Sequence, residues 1–149
     1  MLCPFALGRR GGRPLVESGS RVLVADDDRI VRRIVVAKLS GLGYEVREAQ
    51  DGQEALDLLV GGEEVPDLLI TDSLMPRMNG LELVRSIRSS PDGALSALPV
   101  IMLTSRQGEH DVIEGLETGL DDYVTKPFSP DELVARVRTV LWRARRDRG

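Results

Sequence analysis

Four stretches of the chain are almost purely apolar and each ends on a polar group. Arg21-Val-Leu-Val-Ala25 runs into Asp26, Asp27 and Asp28, and Asp67-Leu-Leu-Ile-Thr71 runs into Asp72. Leu98-Pro-Val-Ile-Met-Leu103 ends at Thr104, and Asp121-Asp-Tyr-Val-Thr125 ends at Lys126 and Pro127. Short apolar runs of this kind, separated by helical segments, predict parallel strands buried on both faces. A fifth strand, Tyr44 to Glu48, alternates in polarity and is expected at a sheet edge.

The segments between the strands carry helical signals. Val31, Ile34, Val35, Leu39 and Leu42 recur at helical spacing over a first helix from about Asp28 to Ser40, which Gly41 and Gly43 stop. Asp51-Gly-Gln-Glu54 reads as a capping box opening a second helix through Leu59, closed by Gly61 and Gly62. Asn79-Gly-Leu-Glu82 caps a third, with Leu81, Val84 and Ile87 inward, and Ser89 to Gly93 reads as a loop. A fourth helix is expected over about 107 to 118. Ser129-Pro-Asp-Glu132 opens a fifth, with Ser as cap and Pro at the first helical position. Right-handed crossovers between parallel strands place helices on both faces of the sheet, so the fold class is α/β and doubly wound. In such sheets sites form at the C-terminal strand ends, where carboxylates, a hydroxyl and an ammonium converge here.

Composition narrows the class further. With 149 residues, 42% of them hydrophobic, the chain holds one domain with a substantial core but no second domain of ordinary size. The formal net charge of −4 makes nucleic acid an unpromising partner for the body of the domain. No apolar stretch is long enough to span a bilayer or to make a convincing signal peptide, so no membrane partner is expected and the expected location is the cytoplasm. Cys3 stands alone and excludes an intramolecular disulfide. Residues 1 to 20 lack periodicity and read as a flexible extension; 21 to 142 form the domain proper. Residues 143 to 149 are strongly basic. They read as a continuation of the fifth helix, a linker start, or a weak phosphate-binding tail.

The ordered set of Asp26 and Asp27 after the first strand, Asp72 after the third with Met75-Pro76 and Gly80 behind it, Thr104-Ser105 after the fourth, and Tyr123 then Lys126-Pro127 after the fifth resembles the receiver domain of two-component response regulators. The pattern is most similar to receivers of the winged-helix DNA-binding subfamily. The resemblance implies a five-stranded parallel sheet in the order 2-1-3-4-5 of the flavodoxin-like receiver fold. It implies Asp72 as phosphoacceptor and a Mg²⁺ ion held by Asp27, Asp72 and the Leu74 carbonyl, with Asp26 acting through water. Lys126 would contact the phosphoryl oxygens, and its bond to Pro127 is cis in the family. Thr104 would hydrogen-bond the phosphoryl group and Tyr123 would fill the space it vacates. Read alone, Thr104 could be a strand-end residue and Tyr123 a core aromatic. The implied partners are a cognate sensor histidine kinase or phosphotransfer protein, and a homodimer formed on phosphorylation.

The residues support this chemistry independently. Carboxylates gathered at one strand edge repel one another unless a cation offsets them, and oxygen-only ligands select a hard divalent ion, Mg²⁺ first. Asp28 is read as the cap of the first helix rather than as a ligand. Asp72 can attack a phosphoryl group only if charge on both partners is offset, which a cation and Lys126 would do. Leu74 and Arg106 flank the path of attacking water, and neither is a carboxamide or carboxylate that could orient it, so slow self-dephosphorylation is expected. The output face implied by the subfamily comprises Leu116, Asp121, Asp122, Glu132, Val134, Arg136 and Arg138. Val112 departs from the pattern where a basic partner for Glu132 is usual.

Two other classes compete. A phosphotransferase or phosphatase with an aspartyl intermediate would need an acid or base two residues after the nucleophile, where Leu74 stands. A nucleotide or flavin binder would show a Gly-rich loop after the first strand, where this chain has three aspartates. A receiver-like module that signals without phosphate is a further alternative. The chain itself is therefore expected to accept phosphate rather than act as an enzyme on other substrates.

Overall fold

A computed structural model describes residues 19–62, 64–105, 117 and 119–148. The flexible extension expected over 1 to 20 falls outside these residues except for Gly19 and Ser20. The predicted fourth helix likewise falls outside them apart from Glu117, as do Arg106, Val112 and Leu116.

Five strands, β1 (Arg21–Ala25), β2 (Glu45–Ala49), β3 (Leu68–Asp72), β4 (Val100–Thr104) and β5 (Asp122–Thr125), form one parallel sheet in the order β2-β1-β3-β4-β5. Among the described residues the helices are α1 (Arg29–Gly41), α2 (Gly52–Gly61), α3 (Gly80–Arg88), the single turn α4 (Gly93–Ser96) and α5 (Pro130–Arg148). The sheet order and the two-sided covering agree with the expectation, and β2 lies at an edge as its alternating sequence predicted.

Strand alternation divides the core into two halves. Val22, Val24, Leu68, Ile70, Ile101 and Leu103 point to one face, where Val35 and Leu39 of α1 and Leu133, Val137 and Leu141 of α5 cover them. Leu23, Ala25, Leu69, Val100 and Met102 point to the other, against Ala55 and Leu59 of α2 and Leu81, Val84 and Ile87 of α3. β3 and β4 are buried along their whole length. Each fully buried Leu or Ile contributes roughly 1.5–3 kcal/mol, so this central pair anchors the sheet.

The helix starts follow their caps. Asp28 Oδ1 accepts from the N–H groups of Ile30 (2.9 Å) and Val31 (3.2 Å), which makes it the α1 cap. Asn79 and Glu82 close a reciprocal capping box at α3. At α2, Asp51 Oδ1 accepts from Glu54 N–H, but the Glu54 carboxylate reaches back to Gln50 N–H, one residue before the cap.

Two details depart from the sequence reading, and a third selects one of the alternatives it left open. Ile34 is 47% exposed, because Val31, Val35 and Leu39 follow one another at four-residue spacing and Ile34 lies about 100° round the helix from Val35 at the centre of that stripe. The loop read over Ser89 to Gly93 ends one residue early, at Asp92, which caps the single turn α4 by accepting from Ala94 N–H and Leu95 N–H; the sequence reading assigned no helix there. The C-terminal helix runs through Arg148, so the basic segment after 142 is helical up to that residue.

Candidate phosphoacceptor site

The C-terminal ends of β1, β3, β4 and β5 bring the expected groups together. Asp26 follows β1 and is fully buried, its N–H donating to Ala49 O at 3.2 Å and its Oδ1 accepting from Asp28 N–H at 2.9 Å. Asp72 ends β3 with its side chain 10% exposed. Lys126 Nζ reaches both, at 3.1 Å from Asp26 Oδ2 and 3.3 Å from Asp72 Oδ1. Asp27 is exposed at the rim. One oxygen from each of Asp26, Asp27 and Asp72 lies within 4.8 Å of the other two.

The lysine is held in place by backbone. Its N–H donates to Thr104 O at 2.6 Å, continuing the β4–β5 ladder one step past the strand ends, and the Lys126–Pro127 peptide bond is cis, as expected from the sequence resemblance. Thr104 is fully buried at the end of β4, and among the described residues its hydroxyl makes a long contact of 3.4 Å to Ser105 O. Tyr123 on β5 is exposed, at 38%, and is not a core aromatic. Leu74 lies in the β3–α3 loop two residues after Asp72, with its side chain turned to solvent.

Electrostatics at this edge are unbalanced. Burial first, and then the charge of Asp26, push the Asp72 carboxyl up to about 6 against the opposing pull of Lys126. Burial works to lower the Lys126 ammonium, but Asp26 and Asp72 together outweigh it and raise its pKa. With all three carboxylates ionised they carry −3 against +1 on Lys126, leaving −2 for a divalent cation to offset. Opposite ligands of a Mg²⁺ ion at about 2.1 Å stand no more than about 4.2 Å apart. Oxygens within 4.8 Å therefore fit such an ion if one of them acts through water. The donor set, all oxygen and of surplus negative charge, is of the hard-cation type.

A family model described as the response regulator receiver domain matches residues 22–138. The chain belongs to the response regulator receiver family. It is 46% identical over 129 residues to the response regulator MprA of Mycobacterium sp. (strain KMS), covering 87% of this chain and 54% of that protein. It is 45% identical over 128 residues to the probable transcriptional regulator ycf27 of Guillardia theta, covering 86% and 48%. The chain thus spans about half the length of the curated relatives it matches. Among solved structures, a putative response regulator from Chloroflexus aurantiacus J-10-fl superposes with a TM-score of 0.76 at 40% identity, over 83% of this chain and 98% of that one. The Francisella response regulator 1452 receiver domain gives 0.74 at 36%, over 85% and 99%. The acidic cluster of Asp26, Asp27 and Asp72 lies within the residues that the receiver model matches and is consistent with a phosphoacceptor pocket, and no helix among the described residues is long and apolar enough to cross a membrane.

The residues expected on an output face are less uniform. Val134 is a correction: it is only 4% exposed and belongs to the core, because it shares the inward stripe of α5 with Leu133, Val137 and Leu141. Asp122 pairs with Arg136 at 3.3 Å, and Arg136 approaches Glu132 at 3.9 Å within the same helix. Asp121 accepts from Val100 N–H at 2.8 Å and lies 3.4 Å from Arg88.

That last contact belongs to a cluster that the sequence did not reveal. The Arg88 guanidinium donates to Gly119 O, Ser96 O and Leu98 O at 2.6–3.1 Å, joining the end of α3 to the chain before β4 and β5. Burial lowers its pKa and burial likewise raises that of Asp121. No local pattern could have announced this, since every acceptor lies at least eight residues away. A cleft of about 600 Å³ opens at the other end of the sheet, beside Arg21, Glu45, Leu58 and Pro66, and shares no residue with the carboxylate cluster.

Proposed function

We propose that this receiver accepts a phosphoryl group on Asp72 from the phosphohistidine of a sensor kinase or phosphotransfer protein. The observation that carries this reading is the placing of one ammonium, Lys126, 3.1 Å from Asp26 and 3.3 Å from Asp72 beside a third carboxylate. An Asp72 oxygen attacks phosphorus, the P–N bond of the donor breaks, and its electron pair leaves with the imidazole nitrogen. Asp27, Asp72 and the Leu74 carbonyl would hold Mg²⁺ directly, with Asp26 acting through water. When bound, the ion offsets the charge that develops on the transferring oxygens. Lys126 turns from Asp72 toward the phosphoryl oxygens while keeping its bond to Asp26. Thr104 supplies a hydroxyl to the same group, and Tyr123 has the partial exposure a ring needs to move inward after it.

Output would pass through a face of β5 and α5 that includes Asp121, Asp122, Glu132, Arg136 and Arg138, together with Leu116, which lies outside the described residues. A symmetric dimer there would have to exchange the intrachain Asp122–Arg136 pair for an intermolecular one, a change of small energy for exposed charges. The cytoplasm is the proposed location.

Intact-protein mass spectrometry after incubation with Mg²⁺ and acetyl phosphate tests the reading, with the oligomeric state recorded alongside. One phosphoryl adduct that requires both Mg²⁺ and Asp72 is expected, and Asp72→Asn should give none. An adduct that persists in Asp72→Asn would refute the assignment. A shift from monomer to dimer on phosphorylation would support the proposed output face.

A further inference from the structure

The loop residues that would hold the cation are tied from outside the site by a corner that contributes no ligand. This corner, Glu48 to Gly52, joins β2 to α2 and touches both ligand-bearing loops. On the β1–α1 side, Ala49 O accepts from Asp26 N–H at 3.2 Å. Arg32 on α1, its side chain only 12% exposed, donates to Asp26 O at 2.6 Å and to Glu48 Oε1 at 2.9 Å. On the β3–α3 side, the Arg77 guanidinium forms a two-point pair with Asp51, at 3.0 Å to Oδ2 and 3.1 Å to Oδ1. Beside it, a Cβ on Gly52 would stand 2.2 Å from Met78 O, so the α2 start and the β3–α3 backbone are in direct contact.

Two features mark the Asp51–Arg77 pair as more than an incidental surface contact. Arg77 has φ 68, a left-handed conformation that a residue with a Cβ rarely adopts. The Asp51 side chain is 14% exposed, with the 59% exposed Arg77 closing over it, and the Arg77 hydrogen bond holds the Asp51 carboxyl below its ordinary value. Three carboxylates at one edge repel one another and tend to spread the loops apart when no cation is present. A fixed outer frame opposes that spreading and lowers the ordering cost of binding the ion.

We propose that the β2–α2 corner, through Asp51–Arg77 and Glu48–Arg32, positions the two loops for the divalent cation, with Asp51, Arg77, Glu48 and Arg32 as positioning residues. The inference rests on the reading of Asp26, Asp27 and Asp72 as the cation site. It predicts that breaking the pair weakens Mg²⁺ binding without disturbing the fold. Asp51→Asn keeps an oxygen that can cap α2 while removing the carboxylate, and Arg77→Gly removes the guanidinium at a backbone position glycine prefers.

The test is calorimetric titration of Mg²⁺ into the full unphosphorylated chain, for the native protein, both variants, the double variant and Asp27→Ala. Each latch variant should bind Mg²⁺ about three- to tenfold more weakly, less than the roughly 10–100-fold typical of groups bonded directly to a metal ligand. The double variant should lose no more than either single one, since both remove the same pair. With acetyl phosphate, the Mg²⁺ concentration for half-maximal rate should rise equally while the rate at saturating Mg²⁺ stays native. Glu48→Gln should weaken binding in the same manner and combine additively with Asp51→Asn, because it acts on the other loop. Native affinity in both Asp51→Asn and Arg77→Gly, with Asp27→Ala impaired, would overturn the positioning role and leave the cation site standing. No Mg²⁺ binding by the native chain would overturn both.

Discussion

Replacing Asp72 with asparagine should stabilise the metal-free protein at neutral pH, although it removes an ion pair. The carboxylate is 10% exposed and its pKa is pushed up to about 6, chiefly by burial and then by Asp26. The folded chain therefore binds more protons than the unfolded chain between the ordinary value near 3.8 and about 6. Stability contributed by this group is present at low pH and lost as pH rises through that window. A shift of about two pKa units at 1.36 kcal/mol each bounds the cost at roughly 3 kcal/mol. Local relaxation around Lys126 reduces the expected gain to about 1–2 kcal/mol, or about 3–8 °C in Tm for a domain of this size. Lys126 is not orphaned by the change, because Asp26 remains 3.1 Å away. Thermal melts in EDTA at pH 7.5 and pH 4 provide the assay: Asp72→Asn should melt higher at pH 7.5 and lose the advantage by pH 4. Mg²⁺ should raise the native Tm by mass action and narrow or reverse the difference. An asparagine variant no more stable than native at pH 7.5 without metal, or a gain equal at both pH values, would refute the reasoning.

Three further outcomes follow from particular contacts. Asp27→Ala should abolish the Mg²⁺-dependent rise in Tm while barely changing the metal-free Tm, since Asp27 is exposed at the rim; scanning calorimetry with and without Mg²⁺ checks this. Arg88→Met should destabilise the fold by about 2–4 kcal/mol in urea melts, because it leaves the carbonyls of Gly119, Ser96 and Leu98 without their charged donor. The phosphorylated native chain should lose its phosphoryl group slowly, and Leu74→Asn, at an exposed position two residues after Asp72, should shorten the half-life on the order of tenfold by orienting water; a half-life unchanged by the substitution counts against the role given to Leu74.

Most of the fold and the centre of the site could be read from the sequence because they depend on local signals. A run such as Val22 to Ala25 is buried on both faces, so its apolar character is continuous, and the first polar residue after it marks the strand end where Asp26 stands. Asp28, Asn79 and Ser129 each announce a helix start through a side chain that bonds two or three residues onward. What escaped the sequence reading depends on distances along the chain or on helix phase. Val134 is apolar whether it faces a partner or the core, and only the docking of α5 decides which. Asp51 satisfies a local cap through Oδ1, which is legible, and simultaneously receives Arg77 from 26 residues away, which is not. Arg88 bonds chain segments that meet only after β4 and β5 have joined the sheet. The groups proposed to do the chemistry were therefore visible as strand-end residues, whereas the arginines proposed to hold their loops were indistinguishable from solvated surface charge. This asymmetry has a physical basis: a reactive group needs a particular residue type at a strand end, but a tether can be supplied by any suitably placed charge on a neighbouring element.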